Sequence, residues 1–244
     1  MGSHATEIAP APISERALEN QHRPSGTRAA RPKVAVDTVL LAIKDGSLKA
    51  YLVQLRLGAL CDRWAFPGGL VRVGEILEEA ARRELLCATG LNDVYLEQLF
   101  TFGDPSRDPR SHVVSVSYMA LLADPKRIAK PASKYARGEW FEVSALPPLA
   151  YDHALMAEYG VKRLKSKLEY SNIAYNLLPE VFTFAQFEGL YELILARPID
   201  RRNFRRRILT MGLLRELPSK LRGAHRPAAL YSFNKRSLQI IEML

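Results

Sequence analysis

The chain has 244 residues, 48% hydrophobic and 25% charged, a balance that fits ordinary globular domains and argues against fibrous or disordered classes. No apolar run reaches the roughly 20 residues that span a bilayer, and the N-terminus lacks the charged-then-apolar order of a secretion signal, so no membrane partner and a cytoplasmic location are expected. The formal net charge of +9 is uneven: residues 1–160 carry 19 Lys+Arg and 19 Asp+Glu, and residues 161–244 carry 16 and 7, which points to one module for a small ligand and another for a polyanion.

In chain order, residues 1–32 are rich in Ala, Pro, Ser and charge without apolar periodicity and read as a disordered tail. Val34–Ile43 is β-branched and apolar, Lys44-Asp45-Gly46 is a hairpin turn, and Lys49–Arg56 is the returning strand. A helix is predicted from about Ile76 to Ala88, with Glu84 sharing a face with Cys87 and Ala88. Val94–Phe102 and His112–Leu122 are strands around the loop Gly103–Ser111, which Pro105 and Pro109 keep out of the ladder. Gly138–Val143 is a last short strand, and Asp152–Leu168 is a helix with Leu155 and Leu164 on its apolar stripe. Cys61 and Cys87 form no CxxC and have no histidine pair nearby, so neither a disulfide framework nor a zinc site is expected.

The periodicity then changes to short helices. Ser171–Leu178 reads as one, ended by Pro179; Phe184–Ala196 as a second, with Thr183 as its cap; and Arg201–Leu214 as a third, capped by Asp200. Helix, tight turn, helix is the helix-turn-helix outline, and the following Ser219–Ala228 and Ala229–Phe233 read as a hairpin wing with a basic tip. On the third helix Phe204, Ile208 and Met211 fall on one side, and Arg202, Asn203, Arg206 and Thr210 on the other. Arg pairs bidentately with guanine and Asn with adenine, so that second face suits the major groove, with Arg205 and Arg207 reaching phosphates. Lys220, Arg222, His225 and Arg226 would act from the wing. The plainer alternative is a solvated basic helix.

Gly69, Glu75, Arg83-Glu84 and Gly90-Leu91 have the spacing G-x5-E-x7-R-E-U-x-x-x-x-G-U and follow the run WAFPGG at Trp64–Gly69. This pattern resembles the Nudix box and implies an α/β protein, a Nudix α/β/α sandwich joined here to a C-terminal winged helix-turn-helix. In that box the helix supplies two further glutamates after R-E-U, where this chain has Cys87 and Ala88. Mg²⁺ needs several hard oxygen ligands, so Glu84 alone is a weak metal ligand. The remnant Gly69, Glu75, Arg83 and Glu84 is not expected to be catalytic, and ADP-ribose pyrophosphatase activity should be weak at most.

The whole likeness, from Lys33 to the C-terminus, is to the Nudix-related transcriptional regulators of NAD metabolism, the NrtR-type repressors. It rests on WAFPGG, on FGDPSRDPR leading into HVVSVSY, on PIDRRNFRR at Pro198–Arg206 and on HRPAALYSF at His225–Phe233. The resemblance implies a homodimer that senses ADP-ribose or a related nucleotide through residues 33–160 and binds a double-stranded palindromic operator of NAD-synthesis genes through residues 161–244. By position, Arg56, Trp64, Phe66, Gly68, Gly69, Arg72 and the loop Arg107–Arg110 would line the ligand pocket, aromatic rings taking adenine and cations the diphosphate. No cofactor is required, and Mg²⁺ enters only with residual hydrolysis. Two alternatives remain: an active pyrophosphatase in which Glu78, Glu79 or Glu139 helps Glu84, and a nucleic-acid-binding adaptor on an inert scaffold. Replacing Cys87 and Ala88 together by Glu should raise any Mg²⁺-dependent turnover if the rest of the pocket is in register.

Overall fold

The structure is a computed structural model that describes residues 31–56, 60–221, 227–241 and 243. Residues 1–30 of the expected tail, and the wing-tip residues Arg222, His225 and Arg226, lie outside the described residues.

Strand β1 (Lys33–Lys44) is buried on both faces from Ala35 to Ala42, which is why, apart from Asp37 and Thr38, it reads as apolar without alternation. It turns into β2 (Ser47–Leu55) through Asp45 (φ 51°) and Gly46 (φ 74°), the two left-handed residues of a tight hairpin turn. The sheet runs in the order β3-β2-β1-β6-β5, with β3 at Trp64–Ala65, β5 at Tyr95–Phe102 and β6 at Val113–Leu122; β4 (Gly68–Leu70) pairs with β1 and β7 (Tyr135–Glu142) with β2. β1 and β6 are parallel, with Val36 opposite Val116. β7 starts at Tyr135, earlier than expected. Its Gly138 is needed because a Cβ there would collide with the Tyr51 hydroxyl.

Two helices cover the sheet. Helix α1 (Leu77–Thr89) ends at Gly90, whose left-handed φ of 73° lets its N–H reach the Leu86 carbonyl. Its Leu85 and Ala88 pack on Leu40 and Ala42 of β1. Helix α2 (His153–Tyr170) packs Met156 and Leu164 in the cluster that holds Val39 and Leu41, the opposite face of the same strand. The boundary expected at residues 160 and 161 falls inside α2, and Gly160 sits so close to β1 that a Cβ would stand 2.8 Å from Val39 Cγ1.

The same apolar cluster continues from α2 into the C-terminal part, through Leu168 to Phe182, Phe187, Tyr191, Phe204 and Phe233. Pro32–Leu244 is accordingly one compact unit. The first predicted short helix is only a 3₁₀ turn, Ile173–Asn176, because Ser171 is drawn into a bridge with Ile240 and the Asn172 side chain is bonded to Ser237 and Gln239. Helix α3 (Phe184–Leu195) has a full capping box between Thr183 and Gln186. Helix α4 (Arg201–Thr210) is capped by Asp200, whose carboxylate accepts the Asn203 N–H. It stops at Thr210 rather than Leu214: Gly212 (φ 64°) reverses the chain and Leu214 already begins a strand. That strand, β9 (Leu214–Leu221), pairs with β10 (Ala228–Phe233), which pairs in turn with β8 (Phe182–Thr183). The wing hairpin therefore begins five residues before the predicted Ser219. Among the described residues no helix is long and apolar enough to cross a membrane.

Candidate functional site

A cavity of about 460 Å³ opens where β1, β4 and the β5–β6 loop meet the start of α2. It brings together Arg56, Phe66, Gly68, Gly69, Arg107 and Arg110 of the predicted set, and adds Asp37, Lys134, Tyr135, Tyr151 and His153. Trp64 and Arg72 are not in its wall: Trp64 packs edge-on against Phe141, with Arg137 over its ring at 5.1 Å, and Arg72 is exposed in the turn that Glu75 closes. Phe66 is itself core, stacked on the His153 ring at 5.7 Å. Tyr135 is as buried as Phe66, so the partly exposed aromatic surface comes from Tyr151; the triplet Tyr151-Asp152-His153 at the start of a helix is its local signal. Tyr151 holds a left-handed backbone (φ 55°), a strain of order 1–3 kcal/mol that this densely bonded corner maintains.

The predicted loop cations have different roles. The Arg107 side chain, 3% exposed, forks onto Asp152 at 2.9 and 2.6 Å and lies 3.7 Å from Asp37, so it ties the β5–β6 loop to the start of α2. Arg110 is half-exposed; it forks onto Asp108 and donates to the Tyr151 hydroxyl at 2.9 Å, leaving one edge toward solvent. Burial by itself would raise the Asp37 pKa, but His153, the Ser115 hydroxyl at 2.6 Å and Arg107 outweigh it and hold the carboxyl below its ordinary value. His153 Nδ1 accepts the Phe66 N–H at 2.9 Å, which leaves Nε2, 3.5 Å from Asp37, as the ring nitrogen that carries a proton toward that carboxylate.

The box residues separate into a clamp and a closed carboxylate. Glu75 accepts two bonds from Arg83, at 2.6 and 2.8 Å, and the Arg72 N–H at 2.9 Å; the Arg83 bonds first, then the backbone bond, hold its pKa at about 2. Arg83 also donates to the Leu70 carbonyl at 3.2 Å, binding the glycine loop to α1. Glu84 is 4% exposed, and both its oxygens are taken, one by Arg83 Nη1 and the other by Lys134 Nζ. Lys134 further donates to the Gly68 carbonyl at 2.6 Å. Cys87 is half-buried, and Ala88 is fully buried with its carbonyl accepting the Tyr51 hydroxyl at 3.2 Å. Glu78 is paired with Arg82 on the solvent side. Glu139 is paired with Arg137 and alternates with Trp140, which lies under α1, so Glu139 faces the other side of the sheet from Glu84.

Among the described residues no three His, Cys, Asp or Glu side chains converge as a metal site would need. One carboxylate already neutralised by two cations does not fit a hard divalent ion. Residue 88 is packed among Tyr51, Leu85 and Tyr135, so a glutamate there would meet buried rings rather than an open ligand position.

The second surface is α4. Phe204 and Ile208 are buried, while Arg202, Asn203, Arg206 and Thr210 are all exposed on the predicted outer face. That face is ordered by its own bonds, from Arg206 to the Asn203 amide oxygen at 3.0 Å and from the Thr210 hydroxyl to the Arg206 carbonyl at 2.9 Å. Arg205, expected at phosphate, lies over the Phe184 ring at 4.5 Å and donates to the Tyr231 hydroxyl at 3.0 Å, joining α4 to β10. Arg207 is half-buried, and Lys220 is exposed on β9.

Residues 31–159 match the NUDIX domain family, and residues 174–233 match the NrtR DNA-binding winged helix domain. Over 224 residues the chain is 32% identical to the ADPR responsive transcriptional repressor NtrR of Acinetobacter baylyi, covering 90% of this chain and 88% of that protein. It superposes with a TM-score of 0.75 and 33% identity on Shewanella oneidensis NrtR complexed with a 27mer DNA, covering 82% of this chain and 93% of the other. The Nudix domain of the same Shewanella protein, complexed with ADP ribose, matches at a TM-score of 0.50 and 29% identity over 62% of this chain and 99% of that one. A Nudix sandwich fused to a winged helix is thus the class of this protein, and the chain belongs to the NrtR family of regulators within it.

Proposed function

We infer that this chain is a transcriptional repressor that binds operator DNA through α4 and the wing and senses ADP-ribose in the cavity beside Glu84. The observation that carries the reading is helix α2. Its first turn, through Asp152 and His153, is bonded into the cavity wall, and its last turns, through Leu164 and Leu168, lie in the core that seats α4. A ligand preferring one seating of that first turn shifts the position of the DNA-reading helix, the requirement for allosteric coupling. The exposed cations at the cavity, Arg56, Arg110 and Lys134, suit a nucleoside diphosphate, and Tyr151 gives aromatic surface.

By kinship the regulated genes are those of NAD synthesis, the protein works in the cytoplasm, and two copies read a two-fold operator, since one winged helix contacts too few base pairs for a unique address. Sensing needs no metal and no cleavage. The test is a titration of a labelled promoter fragment with protein, with and without ADP-ribose, beside a measurement of AMP release. ADP-ribose should change the DNA affinity while remaining intact; unchanged DNA binding, or rapid hydrolysis abolished by Glu84→Gln, would refute the reading.

A further inference from the structure

The cation position of the box is not vacant of charge. Lys134 Nζ lies between a carboxylate oxygen of Glu84 on α1 and the backbone carbonyl of Gly68 on the glycine loop, at 2.6 Å from the latter. These are hard oxygen donors of the kind a divalent ion collects. The approach depends on a missing side chain: a Cβ at Gly69 would stand 2.9 Å from Nζ and clash with the Glu84 carboxylate. An ammonium has three donors, and two are used here. The Lys134 side chain is 45% exposed and lines the cavity with its Nζ 5.1 Å from the Tyr135 ring, and among the described residues no third acceptor meets it, which leaves that donor for a ligand.

We propose that the Lys134 ammonium replaces the divalent cation of this scaffold, held by Glu84 and the Gly68 carbonyl, and binds the effector's diphosphate directly, so that effector binding is independent of metal. The diphosphate part rests on the effector reading above; the occupation of the cation position does not. Three features of the chain agree. Arg83 takes the other Glu84 oxygen, so with Lys134 that carboxylate already serves two cations and has no spare charge for a third. Tyr51 and Tyr135 fill the space beside Ala88. Arg56 and Arg110 also line the cavity, so a diphosphate would meet cations from several elements of the chain.

Two measurements on the full chain test this. The first uses Mn²⁺ alone, following the free ion by electron paramagnetic resonance. The wild-type protein should retain no stoichiometric Mn²⁺; one tightly held ion per chain, lost in Glu84→Gln, overturns the proposal. The second is calorimetric titration with ADP-ribose in chelator and in excess Mg²⁺. The affinities should agree, Lys134→Ala should weaken binding about tenfold to a hundredfold, the scale of one charge-assisted hydrogen bond, and Lys134→Arg should keep most of it. Equal melting temperatures for the variants exclude loss of fold. Binding that requires Mg²⁺, or is unchanged in Lys134→Ala, overturns the proposal while leaving the effector reading intact. If ADP-ribose binds under neither condition, the effector reading and the diphosphate part fall together, and the Mn²⁺ measurement alone decides the cation position.

Discussion

At position 88 a methyl group stands where a metal-binding helix of this shape carries a carboxylate, and Tyr51 closes the space by donating to the Ala88 carbonyl at 3.2 Å. A glutamate there would be an unpaired charge among buried rings, so Ala88→Glu should destabilise the protein by about 3–5 kcal/mol, read from the denaturant midpoint. A loss below about 0.5 kcal/mol, the range of surface changes, would mean that the residue 88 side chain reaches solvent after all. Cys87→Glu, half-buried, should be far milder. Asp37 gives the second prediction at this scale. Its folded pKa lies below the ordinary 3.8, so its contribution to stability is complete above that value and disappears as pH falls through the folded pKa. Acid unfolding of Asp37→Asn should therefore depend less steeply on pH below about 4 than that of the wild type. Identical acid profiles would show that the His153 and Arg107 contacts do not hold the charge.

Helix α4 presents Arg202, Asn203, Arg206 and Thr210 to solvent while Phe204 and Ile208 anchor it, so reading and anchoring residues are separate. Arg202→Ala and Arg206→Ala should each weaken operator binding by roughly 1–3 kcal/mol, with little effect on melting. Lys220→Ala on β9 should instead weaken all DNA sequences alike and reduce the salt slope by about one unit. Fluorescence anisotropy with operator and scrambled duplexes at several salt concentrations separates the two. If the α4 variants lost affinity equally for both duplexes, α4 would be a backbone clamp rather than the reading element. Arg205 belongs to the anchoring set, because its guanidinium lies over Phe184 and bonds Tyr231.

For the whole molecule the question is how the cavity reaches α4. The Arg107–Asp152 fork joins the β5–β6 loop to the first turn of α2, and Lys167 and Arg163 of α2 pair with Glu97 on β5 near its other end. Asp152→Asn keeps the size of the side chain but removes the charge of the fork. DNA affinity without effector should stay within a few-fold of wild type, while the change caused by ADP-ribose should shrink; typical couplings of about 1–3 kcal/mol leave room for such a loss. A variant as responsive as wild type would remove α2 as the connection.

Much was legible in the chain itself because it was local. The Asp45-Gly46 turn, the α1 box spacing, the Thr183 and Asp200 caps and the two faces of α4 each depend on residues within a turn or two of one another, where backbone geometry sets the outcome. What the tertiary structure decided lies between residues far apart. Lys134 reaches Glu84 across 50 positions, and Arg107 reaches Asp152 across 45. Trp64 lies outside the cavity because β3 turns it toward Phe141, and α4 ends early because Leu214 is drawn into a strand with Phe233. A periodic pattern states which face of an element is apolar or charged, but the side chain that meets that face depends on strand order, register and the path of distant loops. Those are settled only when the whole core closes.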